Sequence, residues 1–157
     1  MTKMKHKIMA IPFITDSHGR VRFMVVKEGR FNEWSFVCGN CRHSETPNPL
    51  RTALRELREE TMDTMILSSP LKYIFKYSPM VIDEKEIGGK ENNPILFHIF
   101  VFNVQGMKPA GIIKNYYTRL KTGYKKYDRN YRETEGIAFM TITDLSRKKM
   151  WPFVISK

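Results

Sequence analysis

Apolar and polar positions change rhythm several times along the chain, and each change marks an element. Residues 6–13 (HKIMAIPF) and 21–27 (VRFMVVK) are short apolar-rich runs on either side of Asp16-Ser17-His18-Gly19, a pattern that predicts two strands joined as a hairpin. Residues 33–38 (EWSFVC) read as a short extended segment, followed by a loop containing Gly39, Pro47 and Pro49. From 48 to 61 the period becomes helical: Leu50, Ala53, Leu54, Leu57 and Thr61 make one mostly apolar stripe. Asn48 suits the N-cap, and Pro49 suits the first helical position, where its missing N–H is harmless. Residues 71–82 and 94–105 predict two longer strands joined by a charged, glycine-containing loop at 84–93. Residues 108–132 are polar, rich in Lys and Tyr, and partly helical in pattern. Residues 136–142 (GIAFMTI) predict a last strand, after which Thr143 caps a short C-terminal helix that Pro152 ends. Strands mixed with few helices predict one layered α/β or α+β domain, without repeats or low-complexity segments.

Composition narrows the class of partner. A chain of 157 residues can bury most of its apolar surface as one domain without disulfides. No apolar run is long enough to cross a bilayer, and the basic start MTKMKHKIMAIPF has no cleavage pattern, so it reads as a first strand. The expectation is an intracellular, cytoplasmic protein without a membrane partner. Cys38 and Cys41 form a C-x-x-C that a redox pair, or a zinc site with His43, would use. No second such pair and no helix start accompany them, so ordinary loop cysteines are the favoured reading. The formal charge of +11 points to an anionic partner: nucleic acid, nucleotide or other polyphosphate.

Against that basic background the 48–61 helix is acidic on one flank. At about 100° per residue, Arg51, Arg55 and Arg58 share one sector, and Glu56, Glu59 and Glu60 share another. Like charges one turn apart destabilise a helix, so something compensates. Neighbouring arginines on a solvated face are one answer. A divalent cation is the other, since paired carboxylates suit Mg²⁺ or Mn²⁺, which also hold waters and substrate phosphates.

The wider context decides between them. Gly39, five residues, Glu45, and then Arg55-Glu56-Leu57-Arg58-Glu59-Glu60 resemble the Nudix box, and Trp34-Ser35-Phe36-Val37-Cys38-Gly39 is similar to the family's usual lead-in. The chain departs from the family pattern in three places: nine residues rather than seven separate Glu45 from Arg55, Met62 stands where a glycine is usual, and Cys38 replaces the first glycine of a pair. The resemblance implies a single α/β domain over residues 1–157, with a mixed β-sheet sandwiched between helices. It further implies a pyrophosphate-cleaving hydrolase that uses Mg²⁺ or Mn²⁺. Carried over by position, Glu56, Glu59 and Glu60 hold the metal, one of them serving as base, and the Gly39 carbonyl adds a ligand. Arg55 orients the carboxylates, and Glu45 pairs with that arginine. A glutamate before the last strand often joins the set, which here implies Glu135 as ligand or base, with Glu133 in reserve.

Substrate residues are sought outside the box. Residues 114–132 carry seven Lys/Arg against one Asp, with tyrosines interleaved, a mixture suited to phosphates and stacked bases. Tyr116, Tyr117, Lys125, Lys126 and Arg132 are the candidates there, with Lys27 and Arg30 from the second strand and the turn after it; tyrosines packed inward on a solvated helix are the plain alternative. The reading favoured here is mRNA decapping, in the manner of the decapping Nudix enzymes of large DNA viruses; the alternatives are hydrolysis of free nucleotides, dinucleoside polyphosphates or diphosphoinositol phosphates, and a non-catalytic RNA- or nucleotide-binding module. The oligomeric state is not legible.

Overall fold

The computed structural model describes residues 4–30, 32–87, 93–126, 128–131 and 133–147. Strand β1 (Lys5–Thr15) turns into β2 (Val21–Glu28). Asp16 makes that turn: its Oδ1 accepts from the backbone N–H groups of His18 (2.9 Å) and Arg20 (3.0 Å), and Gly19 supplies a φ of +76°. The expected strand at 33–38 divides into β3 (Glu33–Ser35) and β4 (Val37–Asn40), so Cys38 and Gly39 lie on a strand and not in a loop. β3 pairs with β2, whereas β4 pairs with the first half of β1. One chain direction cannot serve both neighbours, and the strand breaks at Phe36.

Helix α1 (Pro49–Glu60) starts after Asn48, whose side chain makes no capping bond. The expected strand at 71–82 opens instead as a 3₁₀ turn at Pro70–Lys72, and β5 runs from Ile74 to Asp83. β6 spans Pro94–Asn103. Helix α2 (Pro109–Thr122) ends at Gly123, which takes φ +74° as a left-handed cap. The last strand, β7, is Thr134–Met140, two residues earlier than the pattern placed it. Helix α3 (Ile142–Ser146) is capped by Thr141, not Thr143: Thr141 Oγ1 accepts from Asp144 N at 3.1 Å, and Asp144 answers as the third residue of a capping box. Pro152, expected to end this helix, lies outside the described residues.

The strands form one mixed seven-stranded sheet in the order β3-β2-β1-β6-β5, with β4 beside β1 and β7 beside β2. β1 runs parallel to β6 and antiparallel to β2 and β4. Alternation along β2 divides the core. Met24 and Val26 face α1 and α2 through Ala53, Leu57, Ile112 and Tyr116, while Val25 packs with Met140 and Leu145 of α3 on the other face. The sheet is therefore sandwiched between helices, as an α/β domain.

Candidate active site

Ala53 and Leu57 turn one side of α1 into the core, which sets Glu56 and Glu60, one turn apart, against β4. A Cβ on Gly39 would collide with the Glu56 side chain, so glycine is what lets helix and strand approach. The two glutamates open into a cleft of about 870 Å³ whose lining includes the acids Glu28, Glu33 and Glu133 and the cations Lys7, Arg30 and Arg129.

Glu56, Glu60 and Glu133 bring carboxylate oxygens within 4.8 Å of one another. Glu60 is 2% exposed, and its Oε2 has no hydrogen-bond partner among the described residues. Burial raises the pKa of Glu60 far above the carboxylate range, and the charge of Glu56 adds to the effect. Burial also raises Glu56, to about 7, with the Arg55 cation pulling the other way. Glu133 is raised by burial and by the charge of Glu59. Arg55 is bonded to Glu56, but Glu60 keeps an orphaned oxygen beside two further acids. An all-oxygen donor set of this kind fits a hard divalent cation.

Arg55 sets the geometry around the cluster. Its Nε donates to Glu45 Oε2 at 2.9 Å and its Nη2 to Glu45 Oε1 at 3.0 Å. Its Nη1 donates to Glu56 Oε1 at 3.0 Å and to Glu59 Oε2 at 3.3 Å. Glu45 also accepts from Arg42 N (2.9 Å) and Thr52 Oγ1 (3.0 Å). The Arg55 hydrogen bond and these donors hold the Glu45 carboxyl at about 2. The two extra residues between Glu45 and Arg55 leave this pairing intact. Glu59 stands beside the cluster, paired with Arg55 and, at 3.8 Å, with Arg42.

Several sequence expectations are corrected. Glu135, expected as ligand or base, is on the strand itself and pairs with Lys27 at 3.7 Å; Glu133, the reserve, joins the acids instead. The register shifts between Lys27 and Glu28, where β2 meets β7, and Glu135 is the residue left without a partner in that ladder. Lys27 is accordingly engaged with Glu135 and not with the cleft. Tyr116 is 0% exposed in the core, its hydroxyl 2.8 Å from Thr134 Oγ1, and offers no face to a substrate. Tyr117 is half exposed, with its hydroxyl tied to the backbone of Ile137. Lys125 is bonded to Asp63 at 2.9 Å. Arg30 lines the cleft, Lys126 is exposed, and Arg132 lies outside the described residues. Cys38 and Cys41 are both free thiols; burial raises Cys38 well above its ordinary pKa, the opposite of a reactive thiolate.

Sequence reasoning did not reach Glu28, Lys7 or Arg129. Lys7 meets the cleft because it lies opposite Asn40 across the β1–β4 ladder, a pairing that no local pattern announces. Arg129 was hidden among similar cations. The signal for Glu133 was available: it precedes the strand, where alternation does not yet fix its direction.

A family model described as "NUDIX domain" matches residues 4–154. No curated protein matches the chain. Among solved structures, the NUDIX domain of Shewanella oneidensis NrtR, in complex with ADP ribose, superposes with a TM-score of 0.63 at 8% identity, covering 99% of this chain and 84% of that one. A NUDIX hydrolase from Nitrosomonas europaea gives a TM-score of 0.58 at 15% identity, over 98% and 85% of the two chains. The Ap4A hydrolase of C. elegans gives 0.52 at 9% identity, over 90% and 83%. Likeness at these identities establishes a shared fold.

Proposed function

The chain belongs to the NUDIX family, and from that premise we propose that it is a pyrophosphohydrolase that cleaves the pyrophosphate bond of a free nucleoside-diphosphate-linked compound, using Mg²⁺ or Mn²⁺ held by Glu56, Glu60 and Glu133. The observation that carries this reading is the carboxylate trio, Glu56 and Glu60 buried and Glu133 exposed beside them, with its orphaned Glu60 oxygen, set in a cleft that also presents Lys7, Arg30 and Arg129. Bound there, the cations would neutralise the diphosphate charge and lower the pKa of an attacking water.

The chain's own residues supply the rest. Lys7, Arg30 and Arg129 give a diphosphate its counter-charges on the cleft wall. Arg55 holds the Glu56 and Glu59 carboxylates in place from one side, so neither needs to reorganise during reaction. Glu56, at the cleft and oriented by Arg55, is the candidate to take a proton from the attacking water.

The tyrosines support a compact substrate. Capped RNA was attractive because residues 114–132 interleave tyrosines with cations. Tyr116 is in the core, and the hydroxyls of Tyr124 and Tyr131 are turned to Asp63. The described tract therefore lacks the row of stacking faces a long RNA would use, which favours a compact nucleotide.

One assay with Mn²⁺ tests this, comparing ADP-ribose, a dinucleoside tetraphosphate, free cap dinucleotide and long capped RNA, with Glu60→Gln as the blank. The expected result is cleavage of a free nucleotide ahead of capped RNA, absent in the variant. Capped RNA cleaved fastest would overturn the substrate class. Equal activity in Glu60→Gln would overturn the role of the acids.

A further inference from the structure

Asp63 follows α1 with a left-handed backbone, φ +59°, and a side chain only 11% exposed. Both of its oxygens are engaged by one distant stretch of chain. Tyr124 Oη donates to Oδ2 at 2.6 Å, Lys125 Nζ to Oδ2 at 2.9 Å, and Tyr131 Oη to Oδ1 at 3.0 Å. Lys125 also lies over the Tyr131 ring, 4.3 Å from its centre. One carboxylate thus ties down both ends of the segment that carries Arg129.

Glu133 comes two residues after Tyr131. On its other side Thr134 donates from Oγ1 to the carbonyl of Glu60 at 3.0 Å. The third acid of the cleft is therefore bracketed by two anchors, and both belong to the end of the helix that carries the first two acids. A solvent-exposed helix end needs no such grip; three charged or phenolic donors converging on a little-exposed carboxylate define the position of whatever follows them.

We propose that Asp63 is a positioning residue: through Tyr124, Lys125 and Tyr131 it fixes the course of the segment that leads to Glu133, so that Arg129 lines the cleft and Glu133 meets Glu56 and Glu60. The inference rests on the reading of the cleft as a cation-dependent hydrolase site. Groups that orient metal ligands from behind commonly change affinity or activity by about 10- to 100-fold when removed, and Asp63 acts on Glu133 in that way.

The test is Mn²⁺ binding measured by calorimetry without substrate, on wild type, Glu60→Gln, Glu133→Gln, Asp63→Asn, Tyr131→Phe and the double variant Asp63→Asn/Glu133→Gln. kcat and KM are measured alongside. Asp63→Asn is expected to weaken Mn²⁺ binding and lower kcat by about tenfold, and Tyr131→Phe to act in the same direction. The double variant is expected to be no worse than Glu133→Gln, since the two residues serve one function. Tyr131→Phe removes a single hydroxyl and keeps the test open if Asp63→Asn does not fold. Wild-type Mn²⁺ affinity and kcat in Tyr131→Phe and in folded Asp63→Asn, even with a lower melting temperature, would overturn the proposal, as would fully additive losses in the double variant. Glu60→Gln binding Mn²⁺ as wild type does would instead overturn the cation reading, and this proposal with it.

Discussion

At the scale of single residues, Glu45 and Glu60 show opposite solutions to burying a carboxylate. Both are nearly inaccessible, but Glu45 receives Arg55, Thr52 and a backbone N–H, while Glu60 keeps an oxygen without a partner. Glu45 therefore stabilises the fold through its charge. Its carboxyl is lowered from 4.5 to about 2, so that contribution is complete above the unfolded value and is lost as pH falls through the folded one. Glu45→Gln is expected to cost about 1.5–3 kcal/mol at pH 7, the range for a hydrogen-bonded charge. The gap from wild type is expected to shrink between roughly pH 5 and pH 2 in urea titrations. A gap unchanged down to pH 2 would contradict the assignment. Glu60 Oε2 has no such partner among the described residues, and its burial makes physical sense with a cation beside it.

At the scale of elements, the end of α1 tests which force prevails. Thr61 caps the helix; Met62 N bonds to Glu59 O (3.3 Å) and Asp63 N to Arg58 O (2.7 Å), the pattern of a Schellman motif with Met62, φ +54°, in the place glycine usually takes. Left-handed geometry costs Met62 about 1–2 kcal/mol. Its side chain, 3% exposed in the main core cluster, returns more, since truncating a buried Met costs about 2–5 kcal/mol. Met62→Gly is therefore expected to lose about 1–3 kcal/mol on denaturation; a more stable variant would show that backbone strain dominates. The helix itself was legible because its stripe, its proline and its acids agree in one short window. What failed was set by distant partners. The break at Phe36 depends on β1 and β2 claiming opposite halves of one segment, and Glu135 is drawn to Lys27 of β2, a partner distant in sequence, while Glu133 meets the acids of α1. Thr141 was a local miss, because Asp144 three residues on was its capping-box cue.

At the scale of the molecule, a chain with a formal charge of +11 gathers five glutamates around one cleft, against three cations on its lining. The box motif disclosed Glu56, Glu60, Arg55 and Glu45 in their observed relations, because they are set by one helix and the loop before it. The cations of the cleft come from β1, the turn after β2 and the segment before β7, and only the folded sheet gathers them. The tyrosine-rich tract looked like a nucleic-acid surface by composition, and its described tyrosines serve largely to hold the fold. The central claim is that Glu56, Glu60 and Glu133 are held together to bind divalent cations for pyrophosphate cleavage. Anomalous diffraction from crystals soaked in Mn²⁺ tests it most directly: the expected result is a peak in direct contact with oxygens of these three side chains, and a map without a peak there would contradict the claim.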